Sequence, residues 1–126
     1  MQKQFKDQKY LNLETFRKSG IGVKTPVWFV EENDAFYVWT EANSWKAKRI
    51  RNNSDVKIVP STASGEPTGE WVDAQAIADA SPEALTRLTQ IIKKKYGLAF
   101  AGFQMMGKLR KASYTQLKIQ IKDKNP

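Results

Sequence analysis

The chain contains neither cysteine nor histidine. The first absence excludes disulfides, zinc–thiolate sites, iron–sulfur clusters and cysteine nucleophiles. The second excludes Ser-His-Asp catalysis, imidazole acid–base work and a His-ligated haem or zinc. No apolar run reaches the roughly 18 residues of a transmembrane helix. The stretch from Met1 to Tyr10 is polar and lacks the apolar core of a secretory signal. The expectation is a cytoplasmic protein with no membrane segment, in which the sequon Asn52-Asn53-Ser54 carries no meaning. Neither a GxGxxG nor a Walker pattern occurs.

What is present is an ordinary globular composition with a basic excess. At 126 residues, 40% of them hydrophobic, the chain fits one domain, spanning 1–126. Lys and Arg number 21 against 13 Asp and Glu, a net charge of +8. Such a balance points to an anionic partner: nucleic acid, an anionic surface or a phosphorylated small molecule. Solubility alone explains it as well. The side chains left for chemistry are Asp, Glu, Lys, Arg, Tyr, Ser and Thr, unless a cofactor supplies the chemistry.

Patterning along the chain predicts mostly strands. Phe5 to Lys9 reads as a short helical lead-in, and Tyr10 to Phe16 as a strand with Leu11 and Leu13 apolar. After the Lys18-Ser19-Gly20 turn, Val23 to Glu31 is a β-branched and aromatic strand. Pro26 marks it as an edge, a bulge or a ligand-facing kink, because proline cannot donate to a ladder. Glu32-Asn33-Asp34 turns the chain back into a strand over Ala35 to Thr40. Asn43 or Ser44 caps a short helix running to about Asn52. Val56 to Ser61 and Trp71 to Ala78 are further strands, separated by a Gly/Pro loop. Ser81-Pro82-Glu83 opens a longer helix, with Leu85, Leu88, Ile92 and Tyr96 at helical spacing and Gly97 just past its end. Leu98 to Lys111 fits no single pattern, and Tyr114 to Lys122 is a final strand. Six strands and two helices predict a small antiparallel barrel, mainly β within the α+β class.

The strongest local feature is Thr40 to Arg51. A strand ends, a polar turn follows, and a capped helix opens with Lys46, Lys48, Arg49 and Arg51 and no acid among them. A helix N-terminus presents free N–H groups and a positive dipole end. With the Thr40 and Ser44 hydroxyls, and with Lys46 and Arg49 three residues apart, this is a phosphate site; a solvated basic helix fits the same charges. Among the aromatic residues, Trp28, Phe29, Trp39 and Trp71 are expected in the core, and Trp45 is expected to be exposed. Met105-Met106 beside Phe103 fits a core or dimer contact. The basic runs Lys93 to Lys95 and Lys108 to Lys111 fit solvated helix ends.

The stretches Thr15 to Gly20 and Val23-Lys24-Thr25-Pro26-Val27-Trp28-Phe29-Val30 resemble the opening of the pyridoxamine-5′-phosphate-oxidase-like split-barrel flavoproteins. Trp39 to Asn53 is similar to their phosphate-binding strand–helix junction. Ser61 to Gly69 and the Lys95-Tyr96-Gly97 helix end resemble the deazaflavin (coenzyme F-420) branch. The resemblance covers residues 8 to 122. It implies a six-stranded antiparallel split β-barrel with a short phosphate-site helix and one longer helix. It also implies a homodimer with FMN or F-420 between the subunits, and hydride transfer to or from a small-molecule substrate. On this resemblance Lys46 contacts the cofactor phosphate, with Arg49 or Lys48 assisting. Thr40 and Ser44 bind the phosphate or the ribityl chain. Thr25, Pro26, Val27 and Trp28 lay backbone along the isoalloxazine edge, and Thr62 is a further candidate. Trp45 stands where the family has a small residue, and Ser54 where Asn-Pro is common. The alternatives are a non-catalytic flavin carrier and, ranked below it, a basic barrel that binds nucleic acid.

Overall fold

The computed structural model describes residues 3–110 and 113–122. A single 3-10 turn at Lys3–Phe5 buries Phe5, where the sequence predicted a lead-in at Phe5 to Lys9. Seven strands follow: Tyr10–Phe16 (β1), Gly22–Trp28 (β2), Val30–Glu32 (β3), Ala35–Glu41 (β4), Asp55–Ser61 (β5), Val72–Asp79 (β6) and Tyr114–Ile121 (β7). The helices are Trp45–Asn52 (α1), Pro82–Tyr96 (α2) and Leu98–Arg110 (α3). The strands form one antiparallel sheet in the order β2-β1-β5-β6-β7-β4-β3.

That order corrects the expectation of six strands. Val23 to Glu31, read as one strand, is two. Up to Trp28 the chain pairs with β1, and from Val30 it pairs with β4. These are opposite ends of the sheet, so the sheet curls until its two edges meet at one residue, Phe29. Both halves are extended, and Trp28, Phe29 and Val30 form one unbroken apolar run across the change of partner.

Turn chemistry sets the remaining path. The β1–β2 hairpin turns on Gly20 at φ 90, with the Gly20 N–H donating to the Arg17 carbonyl at 2.8 Å. The β3–β4 hairpin places Asn33 and Asp34 at φ 51 and 63, the left-handed pair that a two-residue hairpin favours. Ser44 and Ser81 cap α1 and α2, their hydroxyls accepting from Ala47 N and Ala84 N.

Two cores result. Alternate residues of the strands fill the barrel, with Leu11, Leu13, Phe36, Val38, Ile58, Leu117 and Ile119 buried inside it. Phe5, Phe29 and Phe36 close one end as a ring cluster, with Phe5 and Phe36 centroids 4.7 Å apart and Phe29 and Phe36 5.7 Å apart. Outside the barrel, Ala35 and Tyr37 pack under Leu88 and Ile92 of α2 and Phe100 of α3. β4 is therefore covered on both faces, which explains its unbroken apolar run.

The Phe29 peptide, at the change of edge, is held by the end of α2. Its N–H donates to the Tyr96 hydroxyl at 3.0 Å. Its carbonyl accepts from Lys95 Nζ at 2.7 Å and lies 2.8 Å from the Tyr96 hydroxyl, whose single proton it shares with a second carbonyl. The same hydroxyl reaches the Lys9 carbonyl at 2.6 Å, just before β1. Gly97, at φ 61, ends α2 immediately afterwards. Lys95 Nζ also lies 3.9 Å from the centroid of the Phe29 ring. Burial lowers its pKa to about 8, against the opposing charges of Glu31 and Asp7.

Truncating Phe36 to Ala is expected to destabilise the fold by about 3–5 kcal/mol, from lost burial and the cavity left behind. The exposed Ile77 truncated the same way should stay within about 0.5 kcal/mol; denaturant unfolding of both variants checks this. Lys95 yields a second expectation. Its folded pKa of about 8 lies below the ordinary 10.5, so between these values the unfolded chain holds the extra proton and stability rises with pH. The stability difference between the wild type and Lys95→Met should therefore grow in favour of the wild type from pH 8 to pH 10.5, read from urea midpoints across that range.

Candidate functional site

A cavity of about 420 Å³ lies in the split between β2 and β4. Thr25, Pro26, Val27 and Trp28 of β2 form one side, and Trp39, Thr40 and Glu41 of β4 the other. Tyr10, Tyr114, Phe103 of α3 and Lys46 of α1 complete the lining. Pro26 fits here because β2 is the terminal strand of the sheet, where a missing N–H breaks no second ladder.

Aromatic pairs shape the walls. Trp28 stacks on Tyr96 with centroids 4.4 Å apart and planes 12° from parallel, and Phe103 meets Trp28 edge-on at 4.9 Å. On the opposite side Trp39 stacks on Tyr114 at 3.9 Å, and Phe100 meets Trp39 edge-on at 4.8 Å. Gly107 is required beside the second stack: a Cβ there would overlap the Tyr114 hydroxyl.

The charge at the site comes from α1. Lys46 is half-buried, and its pKa is held below the ordinary lysine value by burial first and by the Arg49 charge second, with Glu41 opposing. Two cations, one of them partly desolvated, gain most from an incoming anion. Lys46 and Arg49 do not share a cavity, however. Arg49 lines a second groove of about 600 Å³ with Phe16, Arg17, Lys18, Val23, Trp45, Lys48 and Asn52. Its Nε donates to Thr15 Oγ1 at 2.6 Å, and partial burial and then Arg17 lower its pKa. This groove has Arg17, Lys18, Lys48 and Arg49 in its lining and no carboxylate. Trp45 is 72% exposed, with Lys48 Nζ 4.6 Å from its ring centroid. Trp45 lines the second groove together with Val23 of β2 and is absent from the lining of the cavity at Lys46.

The other candidate residues have local structural partners. The Ser44 hydroxyl accepts from Ala47 N at 3.3 Å and so supports the start of α1. Thr40 is buried in the cavity wall. Thr62 lines neither cavity: its Oγ1 lies 3.0 Å from Ser64 Oγ and accepts from Glu66 N at 3.1 Å, bracing the loop after β5. That loop is tied to β1 through Gly65, whose carbonyl accepts from Asn12 Nδ2 at 2.8 Å. The sequence reading missed Tyr10, Glu41 and Tyr114 as cavity residues, because they lie at strand ends that only the curl of the sheet assembles, and it expected Trp39 in the core and Phe103 at a core or dimer contact rather than in the cavity wall. It left Leu98 to Lys111 undecided. Leu98–Arg110 is helical, and Lys111 lies outside the described residues. Phe103, Met105 and Met106 are exposed there rather than in the core.

No family model and no curated protein matches the chain. Solved structures do match in fold. HutZ, a heme storage protein from Vibrio cholerae, superposes with a TM-score of 0.71 at 16% identity, over 93% of this chain and 84% of that one. A protein assigned as a pyridoxamine 5′-phosphate oxidase from Listeria innocua gives 0.67 at 12%, over 94% and 88%. An F420 reductase gives 0.62 at 11%, over 95% and 91%. With its curled sheet, its split at Phe29 and its cavity in that split, this chain has the pyridoxamine 5′-phosphate-oxidase-like split-barrel fold.

Proposed function

We propose that the chain is a flavin- or deazaflavin-dependent oxidoreductase, binding FMN or coenzyme F-420 and acting on a small molecule. The observation that carries this reading is the half-buried Lys46 ammonium at the edge of a cavity walled by aromatic stacks and a proline-bearing strand edge. Aromatic walls suit a flat ring system. Thr25 to Trp28 offer it the outer side of a terminal strand, where backbone groups are free of a ladder. Lys46, with Arg49 behind it, neutralises a phosphate. Ser44 serves that phosphate by capping the helix that carries Lys46.

When bound, such a cofactor supplies hydride transfer, which a chain without histidine or cysteine does not provide itself. The cavity groups that can hold or release a proton are Tyr10, Glu41, Lys46 and Tyr114. The second groove favours F-420 over FMN. FMN ends at its phosphate, whereas F-420 continues into carboxylates, and the second groove has four cations and no acid in its lining. One phosphorylated cofactor per site accounts for the basic surface, which ranks nucleic acid below it.

The functional unit on this reading is a homodimer. Leu98, Phe103, Met105 and Met106 of α3 are exposed, Leu98 at 90%. A helix apolar on its outer side is one that a partner covers. We place the second copy there because Phe103 belongs to both that helix and the cavity wall. Met105→Glu should convert dimer to monomer in sedimentation; a wild-type monomer overturns the placement.

Fluorescence titration with FMN and with F-420 tests the cofactor. Saturable binding is expected, tighter for F-420. Lys46→Ala should weaken it by about 1–3 kcal/mol, the value of a charge-assisted hydrogen bond. Unchanged affinity in that variant overturns the site, and binding of neither cofactor overturns the reading. Binding without turnover of any reducible substrate selects the carrier alternative.

A further inference from the structure

The backbone N–H and carbonyl of Phe29, on two successive peptide groups, belong to neither flanking ladder: β2 ends at Trp28 and β3 begins at Val30. Phe29 itself is buried. An N–H and a carbonyl in such a place need partners. The Tyr96 hydroxyl accepts from the N–H at 3.0 Å, and its single proton lies within reach of two carbonyls, Phe29 at 2.8 Å and Lys9 at 2.6 Å. Its ring lies flat against Trp28, the residue one peptide earlier. Tyr96 is absent from the cavity lining, whereas Trp28 and its edge-on neighbour Phe103 are in it.

We propose that Tyr96 is the positioning residue of the cofactor cavity: its hydroxyl fastens the peptide where the barrel changes edge, and its ring fixes Trp28 as the cavity wall. The identity of the ligand rests on the flavin reading above; the clamp does not. The peptide that Tyr96 holds sets the direction in which the preceding backbone presents Trp28. Lys95 supports the carbonyl alone, so the N–H depends on Tyr96. Burial raises the Tyr96 pKa well above the ordinary tyrosine value, the Phe29 backbone bond opposing, so the hydroxyl keeps its proton at neutral pH.

The test uses Tyr96→Phe, which keeps the ring and removes the hydroxyl, and Tyr96→Leu, which removes both. Hydrogen exchange reads the Phe29 amide, and 19F NMR of protein carrying 5-fluorotryptophan reads Trp28, assigned with Trp28→Phe. In Tyr96→Phe the Phe29 amide should exchange at least about tenfold faster, and the Trp28 resonance should shift. Affinity for FMN and F-420 should fall about three- to tenfold, whereas affinity for ribose 5-phosphate, which probes only the phosphate end, should match the wild type. Tyr96→Leu should lose more ring affinity and again spare ribose 5-phosphate. Lys95→Met, which leaves Tyr96 in place, should keep ring affinity within about twofold. An unchanged Phe29 amide in Tyr96→Phe overturns the proposal. So does an equal loss of ring and phosphate affinity, which marks general damage. If the wild type binds neither cofactor, the flavin reading fails by itself, and the amide and the Trp28 resonance still decide whether the clamp exists.

Discussion

The backbone of one residue, Phe29, controls the architecture. The sheet begins with β2 and ends with β3, and Phe29 alone separates them in sequence. A strand that leaves one edge and joins the other within a residue forces the sheet to curl, because its two ends cannot be further apart than one peptide. The cost is a buried N–H and carbonyl outside both ladders. The end of α2 meets that cost with a phenol and an ammonium. The split, the Phe5–Phe29–Phe36 cluster that seals one end of the barrel, and the aromatic wall of the cavity all depend on that junction.

Charge is arranged with similar economy. α1 is only two turns long, yet it divides its cations between two surfaces. Lys46 turns to the cavity in the split, and Lys48 and Arg49 turn to the groove beside the β1–β2 hairpin. The two surfaces remain coupled, since Arg49 acts on Lys46 through space. A partly desolvated cation is tolerable in the fold because Glu41 lies within electrostatic reach, but the balance of the region stays positive. On the flavin reading, that positive balance is what the cofactor phosphate meets.

Local chemistry was legible in the sequence, and non-local closure was not. Ser44, Ser81, Gly20 and the Asn33-Asp34 turn announce themselves through capping and φ preferences, and each stands where the residues predicted. Strand existence was readable from alternation, as in Leu117, Ile119 and Ile121. The division at Phe29 was invisible, because its immediate neighbours Trp28 and Val30 are both extended and apolar and only their partner strands differ. Tyr10 and Tyr114 reach one cavity because β1 and β7 both begin beside it, a fact of topology rather than of pattern. α3 lacked a periodic signal for a physical reason: from Leu98 to Gly107 its sole polar residue is Gln104. A helix apolar on every side shows no amphipathic period.

That same uniformity bears on how the site is completed. Phe100 fills the second core, so one side of α3 is used within the chain. Leaving Leu98, Met105 and Met106 against water would expose a row of large apolar side chains beside the cavity mouth. A covered α3 would be held in place, and with it Phe103, which touches Trp28. The wall that Tyr96 fixes from behind is thus braced by Phe103 from the side, and assembly and ring binding become two demands on one set of contacts. On the flavin reading, a second copy seated on α3 would order the cavity before any cofactor enters, which lowers the entropy that the ligand must otherwise supply.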